Sequence, residues 1–190
     1  IFTFGSFNNF KKISDETVDA WSSILQNVSN SRLILKSSIF CNVSLLLKKF
    51  EKNGVKHKIE IFEKENFFKK KDHLDLYKKI DLALDTFPYN GVTTTFEALW
   101  MGVPTMVLKG YNFNSRCGES IITNTGINYL VAPNIKDYIK RASLLSQDKK
   151  KLNKIRKLLF DQVLSTPLFN TQSFAKNFGD LLFKIFNRKV

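Results

Sequence analysis

The 190-residue sequence predicts an α/β fold: a Rossmann-like parallel sheet with helices on both faces. Short β-branched or aromatic runs alternate with longer amphipathic stretches, which is the pattern of βαβ units. Ile80 to Asp85 is a near-continuous apolar run, as expected of a strand buried on both faces of a parallel sheet. That run feeds a loop, Thr86 to Gly91, marked by Pro88 and Asn90-Gly91, and then a helix opening near Thr93. Open α/β sheets bind their ligands at such strand-loop-helix junctions.

The remaining elements follow in order. Ile1 to Phe4 reads as a strand, and Ser14 to Asn27 as a helix with Asp15 and Glu16 in its first turn and Val18, Trp21, Ile24 and Leu25 on one face. Arg32 to Lys36 is the second strand. A helix from Asn42 to Asn53 ends at Gly54, and Lys58 to Phe62 is the third strand. A short helix from Asp72 to Lys79 precedes the apolar run. Beyond Gly102 and Pro104, Thr105 to Leu108 is a strand, Ser115 to Thr125 a helix closed by Gly126, and Tyr129 to Val131 a short strand. Helices are expected over Ile135 to Ser146, Lys149 to Leu164 and Thr171 to Phe186. There is no internal repeat and no low-complexity linker.

Composition narrows the class. At 43% hydrophobic, with 18 Phe, the chain has enough apolar surface for one core and hardly two, so residues 1–190 read as a single domain, with 148–190 a C-terminal helical extension. No apolar run approaches the roughly 18 to 20 residues of a membrane span. Ile1 opens directly on an alternating apolar stretch without the progression of a signal peptide, and the start reads as a cut through a longer protein. Cys41 and Cys117 lie far apart with no metal-binding spacing, which argues against a disulfide or zinc framework and for a cytoplasmic location. The net charge of +13 raises a nucleic-acid partner, with Lys69-Lys70-Lys71 and Lys149-Lys150-Lys151 as the obvious clusters. The excess is nearly all Lys, which reads phosphates and bases less well than Arg, and the aromatics fall at core-compatible positions. A solvated Lys-rich surface is the preferred reading, with no nucleic acid expected.

The chemistry is concentrated in the junction. Thr93 and Thr94 place two hydroxyls and unpaired backbone N–H groups at a helix N-terminus, where the helix dipole favours a phosphate. Glu97, one turn on, is within reach of a ribose attached to that phosphate. Thr94-x-x-Glu97 is also the pattern of a capping box, in which both side chains merely satisfy backbone donors.

Phe7-Asn8-Asn9 with Lys12-Ile13, His73 spaced twelve residues before Asp85, and Asp85-Thr86 through Asn90-Gly91 and Thr93-Thr94 occur in one order along the chain. They are followed by Leu99-Trp100 with Gly102 and Pro104, by Gly110 and Ser115-Arg116, and by Ser165-x-Pro167-Leu168-Phe169-Asn170-Thr171. This series resembles the C-terminal catalytic half of the O-GlcNAc transferase and SPINDLY-like glycosyltransferases. The resemblance implies the C-terminal domain of a GT-B enzyme, with the last helices packing back toward an N-terminal half, and with upstream helical repeats that present protein substrates. It implies an inverting transferase that binds a UDP-sugar, UDP-N-acetylglucosamine in the first instance, and transfers the sugar to Ser or Thr of a protein acceptor. A SPINDLY-like relative using GDP-fucose and a branch transferring hexose to Asn are the alternatives within the family. A catalytically inactive structural domain is the alternative outside it, and the presence of Lys12 with Thr93-Thr94 weighs against that.

By the same resemblance, Lys12 is the catalytic lysine that binds the donor diphosphate and stabilises the leaving UDP, where negative charge builds as the glycosidic bond breaks. Thr93 and Thr94 hold the diphosphate, Glu97 the ribose, His73 packs against the uracil, and Lys70 is a basic residue near the uridine. Asn8 and Asn9 are polar positions that help hold the phosphates, Asn9 standing where the family has Gln; Asn8 also reads as a turn residue. No metal is expected, since Lys12 and the helix N-terminus neutralise the diphosphate and the sequence holds no Asp-x-Asp motif. Four further positions depart from the family pattern: Glu97 replaces Asp, Val92 a histidine, Lys109 a proline and Leu76 an arginine near the base. These touch the choice of nucleotide and sugar more than the diphosphate site.

Overall fold

The computed structural model describes residues 1–37, 42–62 and 70–188, with the side chains of 70–72, 160 and 162 outside that description. Six strands form one parallel sheet: β1 (Phe2–Ser6), β2 (Ser31–Lys36), β3 (Ile59–Phe62), β4 (Leu82–Leu84), β5 (Thr105–Leu108) and β6 (Val131–Ala132). Their spatial order is β3-β2-β1-β4-β5-β6, so the chain winds outward from β1 in one direction, returns, and winds outward again from β4. The crevice beyond the C-terminal ends of β1 and β4 is therefore the topological switch point, where the following loops diverge and leave room for a ligand.

The helices are α1 (Asp15–Asn27), α2 (Val43–Lys52), α3 (Lys70–Asp75), α4 (Thr93–Trp100), α5 (Phe113–Thr123), α6 (Ile135–Gln147), α7 (Lys149–Gln162) and α8 (Thr171–Phe186). Alternation along the strands divides the core between two faces. Leu33 and Leu35 of β2 and Leu82 and Leu84 of β4 join Trp21, Ile24 and Leu25 of α1, Phe50 of α2, and Tyr138 and Leu145 of α6. Ile34 and Ala83 point the other way, toward Phe7, Leu76, Tyr77, Ala98 and Val103. Each fully buried large apolar side chain contributes about 1.5–3 kcal/mol of transfer free energy, so the first cluster dominates the stability.

The elements match the sequence expectations with local shifts. Residues 72–79 are not one helix: α3 ends at Asp75, and a 3-10 turn, Leu76–Lys79, completes the connection. Much of the Tyr129 to Val131 stretch is another 3-10 turn, Asn128–Leu130, with Val131–Ala132 the strand. Helix α5 starts two residues early because Asn112 caps it, accepting from Ser115 N while the Ser115 hydroxyl accepts from Asn112 N. Gly54 closes α2 at φ 73°, a backbone conformation open to glycine. Helix α7 inserts Leu152, Ile155 and Leu159 into the main core, whereas no side chain of α8 is buried. Among the described residues no helix is long and apolar enough to cross a membrane. Cys117 is a free thiol; Cys41 and Lys69 lie outside the described residues.

Candidate functional site

Lys12, Asp85 and the N-terminus of α4 meet at the switch point, each placed there by the end of a strand or the start of a helix. The chain leaves β1 through Phe7 and Asn8 and turns in a short 3-10 segment, Phe10–Lys12, capped by Asn9, whose Oδ1 accepts from Lys11 N at 3.0 Å. This turn carries Lys12 across the crevice, where Nζ donates to Asn90 O at 3.0 Å and lies 4.3 Å from the centre of the Tyr89 ring. Partial burial lowers the Lys12 pKa, opposed by the negative charge of Asp85 and by Cys117. Among the described residues the ammonium has one protein acceptor, fewer than its three donors can serve.

The loop after β4 is held from inside. Asp85 is buried, and its Oδ1 accepts from Gly91 N at 2.7 Å, Thr86 N at 2.9 Å and Asn8 Nδ2 at 3.1 Å. Asn90 is pinned as well, by Nδ2 to Thr86 O and by Gly118 N to its Oδ1. Asn8 then passes the order on: its Oδ1 accepts from Thr94 Oγ1 at 2.9 Å. Asn8 is only 5% exposed, so it stands behind Thr94 and does not face the opening.

Helix α4 differs from the other capped helices. Ser14, Asn42, Asn112, Asn134, Asp148 and Asn170 each accept a backbone N–H at the start of their helix. The N-cap of α4 is Val92, which has no side-chain acceptor to offer. The capping-box reading of Thr94 and Glu97 is thereby corrected: Thr94 is the second helical residue and bonds Asn8, while Glu97 points across to another element. Among the described residues, the backbone N–H groups of Thr93 and Thr94 have no protein acceptor. A helix start with open N–H groups beside a lysine has the chemistry to hold an anion.

One turn along, Glu97 Oε2 accepts from His73 Nε2 at 2.9 Å and from Tyr77 Oη at 3.1 Å. Lys36 Nζ, at the end of β2, lies 2.8 Å from His73 Nδ1. An ammonium only donates, so Nδ1 accepts and the ring proton sits on Nε2, facing Glu97. Burial opposes ionisation of Glu97, but the hydrogen bonds from His73 and Tyr77 and the charge of Lys36 outweigh it and hold the carboxyl below its ordinary pKa. Phe7 and Tyr77 flank the imidazole edge-on, with ring centroids 6.2 and 5.7 Å away. Beside Val92 opens a cavity of about 550 Å³, lined by Val92, Phe96, Tyr111, Phe113, Cys117 and Ile121.

The structure therefore brings together Asn8, Lys12, His73, Thr93, Thr94 and Glu97, and puts Asn9 at the rim of the same crevice, in its own turn. Lys70 opens α3, and its side chain lies outside the described residues. Sequence reasoning missed three contributors: Asp85 as a ligand of the loop, Tyr77 and Lys36. Tyr77 was readable in principle, since it follows His73 by four residues, the spacing of neighbours on a helix face. Lys36 sits where β2 ends, beside the same crevice.

A family model described as glycosyl transferase family 41 matches residues 1–178. The chain is 38% identical over 177 residues to an Arabidopsis thaliana protein named probable UDP-N-acetylglucosamine–peptide N-acetylglucosaminyltransferase SPINDLY, covering 91% of this chain and 19% of that relative. It is 30% identical over 187 residues to the A. thaliana protein of the same description named SEC, covering 98% and 19%. The fold superposes on a Thermobaculum terrenum O-GlcNAc transferase mutant with a TM-score of 0.88 and 33% identity, over 95% of this chain and 35% of that one. The chain thus spans about a fifth of the length of these curated relatives. With its parallel sheet, its open helix start at the switch point and a match over nearly its whole length, the chain belongs to glycosyl transferase family 41 and has the fold of the GT-B C-terminal domain.

Proposed function

We propose that this chain is the nucleotide-sugar-binding half of an inverting protein glycosyltransferase, with UDP-N-acetylglucosamine as donor and Ser or Thr of a protein as acceptor. The observation that carries the reading is the convergence of Lys12 and the open N–H groups of Thr93 and Thr94 on one crevice, with the His73–Glu97 pair beside it. In this reading the diphosphate lies between Lys12 and the start of α4. The remaining Glu97 oxygen accepts from the ribose hydroxyls, and the base packs near His73. The cavity beside Val92 has room for a sugar or an acceptor side chain. The acceptor oxygen attacks the anomeric carbon from the face opposite the diphosphate. The bond to the β-phosphate oxygen breaks, the configuration inverts, and Lys12 with the helix N-terminus takes up the developing charge. No metal is required for that neutralisation. The residue that accepts the proton comes from the other half of the enzyme.

A second reading, a GDP-sugar donor, is favoured by specific observations. Leu76 and Val92 stand where the resemblance expects an arginine near the base and a histidine near the nucleotide. Calorimetric titration of the chain with UDP and with GDP decides between them. The expected result is weak UDP binding with GDP competing poorly. Equal or tighter GDP binding would replace the uridine assignment by the second reading, and binding of neither would reject a donor site on this chain alone.

A further inference from the structure

We propose that Asp85 is the positioning residue of the phosphate-binding crevice, its buried carboxylate closing the 86–91 loop and orienting Thr94 through Asn8. The proposal rests on the donor-site reading above. Two of the three N–H groups on Asp85 Oδ1 come from opposite ends of the loop, Thr86 and Gly91, so a single oxygen ties the loop into a ring. The third, Asn8 Nδ2, fixes the amide with its nitrogen inward and its oxygen toward Thr94 Oγ1. Without that anchor the Asn8 amide is free to rotate, and Thr94 loses its acceptor.

The residue is held at its other end too. Its main-chain oxygen accepts from Tyr138 Oη at 3.0 Å, and that hydroxyl accepts from Trp21 Nε1 at 3.2 Å. The second carboxylate oxygen has a different setting. Oδ2 is buried with no hydrogen-bond partner among the described residues, and a Cβ placed on Gly118 would lie 2.9 Å from it. For the fold alone this is a poor arrangement, because a buried charge with one unpaired oxygen is less favourable than a neutral side chain of the same shape. Burial pushes the Asp85 pKa up to about 7 in spite of its three donors and Lys12. A group that opposes the stability of the fold, while the bonds of its carboxylate all lead to the edge of the crevice, matches the local conflict found at functional sites.

The test compares Asp85→Asn with Asn8→Ala in the full chain, reading backbone amide exchange by NMR and UDP affinity by calorimetry. Asp85→Asn preserves shape and removes the charge that strengthens the three bonds. It is expected to speed exchange at Thr86 and Gly91 about tenfold, leave Ala83 and Leu84 unchanged, and weaken UDP binding about tenfold. Asn8→Ala is expected to weaken UDP binding comparably while Thr86 and Gly91 stay slow, because the carboxylate still holds both. Unchanged UDP affinity in Asp85→Asn overturns the proposal, and so does faster exchange throughout β4, which would make Asp85 a support of the sheet. A parent chain that binds neither UDP nor GDP overturns the donor-site reading instead, and exchange at Gly91 still decides whether Asp85 anchors the loop.

Discussion

Lys12 bears the largest catalytic demand in the proposed mechanism, because charge on the β-phosphate grows as the sugar departs. An electrostatic contact of this kind gains most in the transition state, so its loss falls on turnover more than on binding. Lys12→Ala in the enzyme with both halves present is expected to lower kcat about a hundredfold, or about 3 kcal/mol, with a much smaller loss of donor affinity. If kinetics and calorimetry show the two falling equally, Lys12 binds the ground state only. Asp85 supplies a prediction in pH. Its pKa is raised from 3.8 to about 7, so between those values the unfolded chain has released a proton that the folded chain still holds. The contribution of this group to stability is complete below about pH 4 and is lost as pH rises toward 7. At about 1.4 kcal/mol per pH unit the loss is on the order of 4 kcal/mol. Asp85→Asn should therefore melt above the parent chain at pH 8 and converge with it near pH 4; melting below the parent at pH 8 would mean that the charge supports the fold.

At the scale of the element, the loop and helix around Gly91 are packed to the limit of a residue without a side chain. A Cβ there would press into Thr94 Oγ1 and lie 2.5 Å from Asn8 Oδ1, both of which the proposed site needs in place. Gly91→Ala is expected to cost about 1–3 kcal/mol of stability by overpacking and to weaken UDP binding by more than tenfold. Denaturant melts and calorimetry on the same variant check both numbers, and unaltered UDP binding would move the phosphate away from this turn. Helix α4 itself shows why local pattern alone misled. Thr94-x-x-Glu97 has the spacing of a capping box, yet the helix begins one residue before Thr94, and both side chains have better partners on distant elements. The genuine caps, such as Asn112 and Asn134, follow the local rule, their side-chain bonds going to residues three positions on.

At the scale of the molecule, α7 and α8 have opposite relations to the core. Helix α7 buries Leu152, Ile155 and Leu159, while α8 leaves Phe174, Phe178, Leu181, Leu182 and Ile185 at least half exposed. Removing residues 171–190 is expected to change the stability of the remaining chain by less than about 1 kcal/mol, since no buried contact is lost. Leu159→Ala should cost about 2–5 kcal/mol. Thermal melts of the two variants check the contrast, and a large loss on truncation would place α8 in the core. In the proposed enzyme the apolar face of α8 packs on the other half, as the family resemblance implies.

The alternation of strands and helices, the caps and the strand-loop-helix of the crevice were legible in the residues themselves, because periodicity and capping act over a few neighbours along the chain. Membership of the family was legible too, through motifs whose order survives in one dimension. The partnerships of the crevice were not. Asn8 meets Asp85 across 77 positions and Thr94 across 86, and Lys12 meets Asn90 across 78. These pairs exist because the sheet order sets β1 beside β4 and turns both C-terminal ends toward one opening. The role of Asp85 comes from that adjacency and that of Lys36 from the place of β2 beside β1, and no local pattern encodes either: a hydrogen bond depends on where strands lie in the sheet, which is settled only when the whole core packs.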